Sequence, residues 1–445
     1  MKNIHTTLVA TLVLVLGFCT AQADDRRRLT GGNQNQVNRQ VLRLTPGIAK
    51  DPNRYVDRTV AGVIEKLGGT DKTENAVRRA LDWLVKQQQD DGHWEETTSP
   101  IAHTGLAMLC FYGYGASHIG EKEPILVNPG VAPDKGAETT APPTNGAYQK
   151  ALAKAVEWMV KKVGPDGRLM DGGRMYDHTI GTLALAEAYG ASGDEKLKEP
   201  LEKAVKFLIH AQNPETGGWR YAPYRIKQDT GDLSVSGWAI MALASAQLSG
   251  ILVPKEPRAK ALAFLDRVGT GAKLGMYGYN KPAPKPSMTA VGMYCNELLV
   301  GPDKSPRLDE SLRYLVTHLP DEKQEDFYYW YYGTLCMRLY GAEGVQQQAW
   351  EEWNSRMSPL LLELQSSEGS WDAMGKRGKK EGKIVTTAWA ILSLEVYYRY
   401  TPLSKINPGR RLGGGGLFSV QPNPAGQPTR PFSLPSTRPN SGRPR

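Results

Sequence analysis

The sequence is poor in cysteine and in long apolar runs. Its 445 residues include four cysteines, of which Cys19 directly follows the strongly apolar stretch near the N-terminus. The other three, Cys110, Cys295 and Cys336, are far apart and odd in number, which argues against a disulfide framework and favours small buried side chains. After that first stretch no segment stays apolar for the roughly 20 residues that a membrane-spanning helix needs. We therefore expect no transmembrane segment after this N-terminal stretch.

The N-terminal stretch has the features of an export signal. Residues 4–18 are apolar, follow Lys2 and contain no acidic residue, and Ala21-Gln22-Ala23 then offers a small-x-small cleavage pattern. This arrangement predicts a signal peptide, residues 1–23, and an exported protein that is periplasmic or extracellular. The alternative is an N-terminal anchor helix, for which the apolar core is short.

The chain contains six copies of one helical unit between about residue 73 and residue 400. Each copy has an amphipathic helix with a bulky residue near its end, a glycine-rich turn and a second, more apolar helix. The bulky positions are Trp83, Trp158, Phe207, Phe264, Tyr314 and Leu360. The second helices align on a small residue, namely Gly105, Gly181, Gly237, Gly292, Gly333 and Ala388. Such units cannot bury their apolar faces alone, so they predict a stacked or closed array.

The spacing and polarity of the units favour a closed double ring. The aligned small residues are 76, 56, 55, 41 and 55 residues apart, which is longer and less regular than common helical solenoids. The first helices carry a charged face, whereas the second helices are apolar nearly all round, as an outer and an inner ring require. We predict an all-α fold, an α/α toroid of six helical hairpins.

Three segments depart from the repeat pattern of 73–400. Residues 24–72 form a lead-in with a short helix near 53–67, and residues 121–147 form a loop, rich in Pro, Gly and Thr, that is inserted into the array. Residues 401–445 contain seven Lys or Arg and no acidic residue, and their composition predicts a disordered basic tail. Because this tail carries most of the net charge of +9, the folded part is close to neutral, and we expect no nucleic-acid partner.

The turn between the two helices carries a signature of the form QxxxGxW. Its residues are Gln88, Gly92 and Trp94; Gln212 and Trp219, with one extra residue between them; and Gln365, Gly369 and Trp371. A glutamine at the end of an outer helix can bond orphan carbonyls, glycine turns the chain and tryptophan packs over the next unit. We assign these residues a structural role.

These turns resemble the QW motifs of squalene and terpenoid cyclases and their prenyltransferase relatives, and the resemblance covers about 73–400. Strings such as MYDHTIGTLALAEAYG, AQNPETGGWRYAP and TTAWAILSLEVYYRY further resemble exported bacterial proteins with prenyltransferase or squalene-oxidase repeats, seen mainly in planctomycetes. The resemblance implies the toroid fold and no assigned reaction.

The signatures of the family's chemistry are incomplete. Its cyclases protonate an alkene with an Asp of a DxDD motif; the nearest string here is DTGDLS, which places Asp232 on the protonating Asp but lacks two of the three acids. The alternative is that Asp232 caps the helix that begins near Leu233. At the position of the prenyltransferases' zinc-binding His stands Tyr329, and no Asp-x-Cys pair occurs. We expect no metal and no cofactor.

One mouth of the ring is the predicted site. Parallel inner helices gather their N-termini there, and their unpaired N–H groups and dipoles are expected to favour anions. Asp177 and His178, an adjacent acid and imidazole at an inner-helix start, are candidate catalytic residues. The alternative is that they are hydrogen-bonded and have a structural role. The candidate ligand-binding residues around the mouth are His103, Tyr176, Tyr328, Tyr329 and Trp330. Helical spacing puts Tyr328, Tyr331 and Tyr332 on one face, and Tyr329 and Trp330 away from it.

The sequence leads to three functional hypotheses. The first is an exported toroid of unassigned activity that binds an apolar or amphipathic ligand, such as an isoprenoid small molecule, at the inner-helix mouth. The second is an isoprenoid cyclase-type enzyme that uses Asp232. The third is a carbohydrate-active toroid, a glycosidase or lyase, which needs two paired carboxylates among Asp177, Glu187, Asp232 and Asp326. The oligomeric state does not follow from the sequence.

Overall fold

The computed structural model describes residues 65, 68–119, 145–170, 174–223, 230–300, 306–341, 347–373 and 375–397. Six helices form an outer ring: α1 Asp71–Gln87, α3 Asn145–Lys161, α5 Lys198–His210, α7 Lys255–Val268, α9 Pro306–Val316 and α11 Gln347–Leu364. Six form an inner ring: α2 Pro100–Tyr114, α4 Met175–Ser192, α6 Leu233–Leu248, α8 Pro286–Val300, α10 Phe327–Gly341 and α13 Lys383–Leu394. A short helix, α12 Gly375–Glu381, precedes α13. The predicted α/α toroid of six hairpins is confirmed.

The inner helices form a closed circle. Each packs against its two neighbours in chain order, and α13 packs against α2 to complete the ring. The inner helices are parallel, since residues of corresponding N-terminal halves meet; a Cβ on Gly105 would meet Ile180, and one on Gly181 would meet Ile101. Closure explains why the inner helices are apolar on every side.

Burial follows the two polarity patterns. In α2 every residue from Ile101 to Tyr114 is buried, because this helix contacts neighbours on all sides. In α1 the buried residues recur three and four positions apart, so one stripe faces the ring and the other faces water. The contrast between a charged face and an all-round apolar helix thus separates outer from inner helices.

The three QW turns are built in the same way. Trp94, Trp219 and Trp371 each donate their indole N–H to a leucine carbonyl of the preceding outer helix, at 2.7, 2.8 and 2.7 Å. The acceptors, Leu84, Leu208 and Leu361, each follow directly on the aligned bulky position. The backbone N–H of each tryptophan donates to a Thr or Ser hydroxyl just before the aligned small residue, at 2.9 to 3.0 Å. Each tryptophan therefore joins the two helices of its own unit.

The glutamine of each QW turn connects one unit to the next. Gln212 donates its side-chain amide to the carbonyls of Gly217, within the turn, and Pro257, in the next outer helix, both at 2.8 Å. Gln88 bonds Gly92 and Ala151 in the same way. The glycine of the turn allows this approach: Gly217 has φ +78°, and a Cβ there would lie 1.9 Å from the carbonyl oxygen of Lys260.

The last QW turn closes the ring. Gln365 donates to the carbonyl of Gly369 at 2.7 Å and to that of Ala76, in the first outer helix, at 2.8 Å. A second closing contact joins the inner ring, where the Glu96 carboxylate accepts the backbone N–H of Ile384 at 2.7 Å. Units one and six are therefore in the same relationship as units that adjoin in sequence.

The fourth unit replaces the QW turn with a small hairpin. Strands β1 Gly269–Thr270 and β2 Met276–Tyr277 pair antiparallel, with Gly269 opposite Tyr277. The loop between them is held by the Glu310 carboxylate of the next outer helix, which accepts the backbone N–H groups of Ala272, Lys273 and Gly275 at 2.8 to 2.9 Å. A carboxylate thus performs here the bridging that glutamine performs in the QW units.

Several sequence expectations concern residues outside this description. The signal peptide, the tail at 401–445 and the lead-in helix near 53–67, apart from Glu65, lie outside the described residues. The helix α3 begins at Asn145, inside the range 121–147 that we assigned to the inserted loop. Among the helices that are described, none is long and apolar enough to cross a membrane.

Candidate functional site

The chain's own carboxylates cap four of the inner-helix N-termini at the mouth. Two of them cap a neighbouring helix: Glu96 accepts a backbone N–H of α13, and Asp177 accepts the backbone N–H of Ala102 in α2 at 3.1 Å. The other two cap their own helix: Asp232 accepts the N–H of Val235 in α6 at 3.0 Å, and Asp326 accepts the N–H of Tyr329 in α10 at 3.1 Å. The expectation that free N–H groups make the mouth favourable to anions is therefore wrong, because carboxylates already occupy these positions.

Asp232 is the N-cap of α6 and is fully buried. Its Oδ1 accepts the backbone N–H of Val235 and, at 2.6 Å, the hydroxyl of Ser234. This is the capping role that the sequence left open, but it uses one oxygen only. Burial raises the pKa of the Asp232 carboxyl above its usual range, while its hydrogen bonds and the Arg220 guanidinium oppose that shift.

The second oxygen of Asp232 is differently placed. Among the described residues no hydrogen bond of standard geometry reaches Oδ2. Its neighbours are the guanidinium of Arg220, with Nη1 at 4.0 Å, and the hydroxyl of Tyr279, which is near enough to lower the Asp232 pKa. A buried carboxylate oxygen with this incomplete set of donors can accept a further hydrogen bond from a bound group.

A chain of hydroxyl groups leads to Oδ1. Tyr176, on the first turn of α4, donates its hydroxyl to Ser234 Oγ at 2.6 Å, and Ser234 donates in turn to Asp232. Burial raises the pKa of Tyr176 well above its usual range, so it remains a donor. The two hydrogen bonds point the same way, toward the carboxylate, and link two neighbouring inner helices.

Tyrosines from two turns cover the other side of Asp232. The hydroxyls of Tyr221 and Tyr279 lie 2.6 Å apart, and the ring of Tyr221 packs on that of Tyr176 with centroids 5.8 Å apart. Tyr221 is 42% exposed, and Tyr176 and Tyr279 are partly buried, so this covering borders solvent. We call these residues the Asp232 cluster: Tyr176, Arg220, Tyr221, Asp232, Ser234 and Tyr279.

The turn residues of the Asp232 cluster, Arg220, Tyr221 and Tyr279, were not among the sequence candidates. Arg220 and Tyr221 directly follow the QW residue Trp219, and Tyr279 follows the second hairpin strand. Their position in the sequence could have indicated them, since the residues between the turn tryptophan and the inner helix must run along the mouth. The backbone of these segments is fixed at α6 and α4, where Leu233 donates to the carbonyl of Tyr279 and Met175 to that of Tyr221.

The two candidate histidines are structural. His178 accepts the backbone N–H of Leu169 at Nδ1 and contacts the carbonyl of Ala204 with Nε2 at 3.1 Å, which fixes the proton on Nε2. Burial lowers the pKa of His178 to about 3. His103 likewise accepts the backbone N–H of Glu96 at Nδ1 and contacts Thr97 with Nε2. Each imidazole contacts the segment that precedes its inner helix, and both of its nitrogens already have a hydrogen-bonding partner.

The aromatic candidates from α10 divide between two environments. Tyr328 is buried at the centre, 5.0 Å from the ring of Tyr332 and 5.6 Å from that of Trp389. Tyr329 faces outward instead: its hydroxyl donates to the carbonyl of His318, and its ring meets Trp353 of the outer helix α11. Trp330 packs on Phe327 and is buried. The face predicted from helical spacing is present, but Tyr329 and Trp330 do not reach the Asp232 cluster by any described contact.

Buried aromatic side chains of α6 and α10 pack against one another between the inner helices. Trp238 stacks on Tyr331 at 6.0 Å and meets Tyr332 edge-on at 5.6 Å, and all three are buried. Burial is the main cause of the raised pKa of Tyr176 and Tyr328 is the next, so this packed centre adjoins the Asp232 cluster. Within the described residues no three His, Cys, Asp or Glu side chains converge as a metal site would need.

Comparison with known proteins identifies the fold. No protein-family profile matches the chain, and no curated protein matches it. Among solved structures, an inactive variant of α-1,6-mannanase GH76A of Salegentibacter sp. HEL1_6, bound to α-1,6-mannotetrose, aligns with a TM-score of 0.52 and 10% identity over 74% of this chain and 99% of that one. The type II terpene cyclase MstE from Scytonema aligns with a TM-score of 0.47 and 15% identity over 73% of this chain and 98% of that one. At 10% identity, the likeness to the mannanase is one of fold.

Proposed function

We propose that this toroid binds an amphipathic small molecule at the inner-helix mouth, with the polar end of the ligand at the Asp232 cluster. The observation that carries the proposal is the buried carboxyl of Asp232, of which one oxygen caps α6 while the other lacks a hydrogen bond of standard geometry among the described residues. A buried polar atom of this kind is a natural anchor for a ligand group. The resemblance to an exported QW-repeat family is consistent with a ligand outside the cell.

The surroundings of Asp232 suit a ligand with an apolar body. Tyr176, Tyr221 and Tyr279 present ring surfaces as well as hydroxyls, and Tyr221 is partly open to solvent. Below them the aromatic centre is packed, so a ligand would lie across the mouth and not deep inside the ring. Such a combination of a few fixed polar groups with aromatic walls is typical of small-molecule sites.

A binding experiment tests this function. The full chain would be titrated calorimetrically with geranylgeraniol, with the hydrocarbon squalene and with α-1,6-mannotriose. We expect saturable binding of the isoprenoid alcohol, weakened about tenfold or more by Tyr176→Ala, since removing the ring takes away about 1.4 kcal/mol or more of aromatic contact with the apolar body of the ligand. If neither geranylgeraniol nor squalene binds saturably, the proposal is refuted, and binding of mannotriose alone would favour the carbohydrate-active alternative.

Cyclase-type proton transfer is a second candidate, which one observation favours. The carboxyl of Asp232 has a raised pKa and is supplied by the Tyr176–Ser234 hydroxyl chain, as a proton donor would need. Against it stands the packed aromatic centre, since cyclisation of a polyprenyl chain needs an enclosed apolar chamber. Incubation with squalene and analysis of products would test it: a cyclic product formed by wild type and absent with Asp232→Asn would establish catalysis.

The carbohydrate-active alternative lacks a carboxylate pair. Asp177 and Asp326 each cap a helix, and Glu187 accepts the hydroxyl of Ser245 at 2.6 Å, farther along α4 and α6. Glycoside hydrolysis commonly needs two carboxyl groups that face each other across the bond to be cleaved. Nothing in the described contacts brings a second acid to Asp232, so we rank this function third.

A further inference from the structure

The electrostatics of the mouth are set by the capping acids. Glu96, Asp177, Asp232 and Asp326 place four carboxyl groups at one end of the inner ring. Basic side chains near the start of α13 are already paired, Lys380 with Glu381 and Lys383 with Glu368 and Asp372. At Oδ2 itself, an anionic ligand group would therefore meet the Asp232 carboxylate where a bare helix end would have attracted it.

A cationic ligand group is also disfavoured at Asp232. The guanidinium of Arg220, with Nη1 4.0 Å from Oδ2, supplies a positive charge beside this buried oxygen. The guanidinium also lies over the ring of Tyr221, 5.6 Å from its centroid. A second cation at this position would be repelled by the first. What remains suitable is a neutral group that can donate a hydrogen bond to Oδ2.

A hydroxyl group fits both neighbours. A separation of 4.0 Å between Oδ2 and Arg220 Nη1 is too long for a direct hydrogen bond, yet an oxygen placed about 2.8 Å from each atom can bond both. Such an oxygen would donate to the carboxylate and accept from the guanidinium. A hydroxyl carries the one donor and the acceptor lone pairs that this arrangement needs.

We infer that the ligand of the Asp232 cluster carries a neutral hydroxyl, as an alcohol or phenol on an apolar body, and that this hydroxyl binds between Asp232 Oδ2 and Arg220. The inference rests on the proposed function and narrows its ligand class. It distinguishes this mouth from a diphosphate-binding site. Asp232 therefore acts as the acceptor that determines head-group specificity.

The test compares head groups on one tail. Geranylgeraniol, geranylgeranylamine and geranylgeranyl diphosphate would be titrated calorimetrically against the full chain. We expect the alcohol to bind at least about tenfold more tightly than either charged compound, and Asp232→Asn to weaken the alcohol by about tenfold or more, as loss of a hydrogen bond to a charged group does. Asparagine still caps helices well, so this variant tests Oδ2 more than the cap. The matched control is Asp194→Asn, which changes the N-cap aspartate of the short 3-10 helix Glu195–Leu197, just after the C-terminal end of α4.

The outcomes separate the two proposals. If none of the three compounds binds, the proposed function fails. If the diphosphate or the amine binds as tightly as the alcohol, or if Asp232→Asn leaves the affinity for the alcohol unchanged while binding persists, the hydroxyl inference is overturned and the proposed function stands. Circular dichroism and the unfolding midpoint of Asp232→Asn must first show that this variant is folded, since its affinities are interpretable only then.

Discussion

The hydroxyl of Tyr176 donates to Ser234 Oγ at 2.6 Å, across 58 positions of sequence, and Ser234 donates at 2.6 Å to the carboxylate that caps its own helix. This pair joins the first turns of two inner helices at the mouth of the ring. It also supplies a hydrogen bond to Oδ1 of Asp232, which accepts two hydrogen bonds of standard geometry, whereas Oδ2 accepts none among the described residues. The candidate site is thus a consequence of how neighbouring units meet.

A double-mutant cycle should detect this coupling. We expect Tyr176→Phe and Ser234→Ala each to destabilise the fold by about 1 kcal/mol, and the double variant to cost less than the sum by about 0.5–1 kcal/mol, because the same hydrogen bond is lost in both. Urea unfolding of the four proteins measures the cycle. Strict additivity would show that the hydrogen bond contributes nothing to stability.

The ring-closing glutamine should be as important as those inside the chain. Replacing Gln365 by Met keeps much of the side chain's volume but leaves the carbonyls of Ala76 and Gly369 without this donor, so we expect a loss of about 2–4 kcal/mol in the free energy of unfolding. The control is Gln347→Met, on an exposed residue that bonds Glu351 within its own helix, with an expected change below about 0.5 kcal/mol. Equal effects of the two substitutions in denaturant unfolding would contradict the role of Gln365 in closure.

The glycine of the second QW turn should not tolerate a side chain. Gly217 has φ +78°, and an added Cβ would lie 1.9 Å from the backbone oxygen of Lys260. We expect Gly217→Ala to destabilise the protein by roughly 3 kcal/mol or more, from strain and displacement of α7. Gly164→Ala serves as the comparison, since its nearest contact is a side-chain oxygen at 3.1 Å. A thermal midpoint for Gly217→Ala that equals that of Gly164→Ala would refute the close approach.

The buried histidine should make stability depend on pH. The pKa of His178 is lowered to about 3 by burial, against about 6.5 in an unfolded chain. Between these values the unfolded state binds one more proton, so stability falls as the pH drops below about 6.5, by up to about 1.4 kcal/mol per pH unit. Relative to wild type, His178→Gln should show a shallower loss between pH 6 and 4. The exposed His210→Gln variant should retain the wild-type slope; if both variants share one slope, His178 is not the source.

Much of the fold was predictable because it repeats. The bulky positions lie one residue before Leu84, Leu208 and Leu361, the acceptors of the three QW tryptophans, so the alignment of strings had the correct register. The contrast between amphipathic and uniformly apolar helices separated the two rings. Such signals come from many residues at once, and an error at one position does not remove them.

The site was less predictable because it depends on single contacts between units. Tyr176 and Asp232 were recognisable by their place at inner-helix starts, whereas Tyr221 and Tyr279 lie on turns whose direction the sequence does not define. His178 looked available because a sequence does not reveal that two backbone groups occupy its ring. The anion expectation failed for a similar reason, since the Glu96 carboxylate caps a helix 288 residues away.

The measurement that tests the central claim most directly is photoaffinity labelling with a diazirine-bearing geranylgeraniol, followed by peptide mapping by mass spectrometry. We predict saturable labelling on Tyr176, Tyr221 or Tyr279, which unlabelled geranylgeraniol competes away and which Asp232→Asn reduces. Labelling that does not saturate, or that falls mainly on outer-ring helices such as α5 and α9, would contradict a ligand site at the Asp232 cluster.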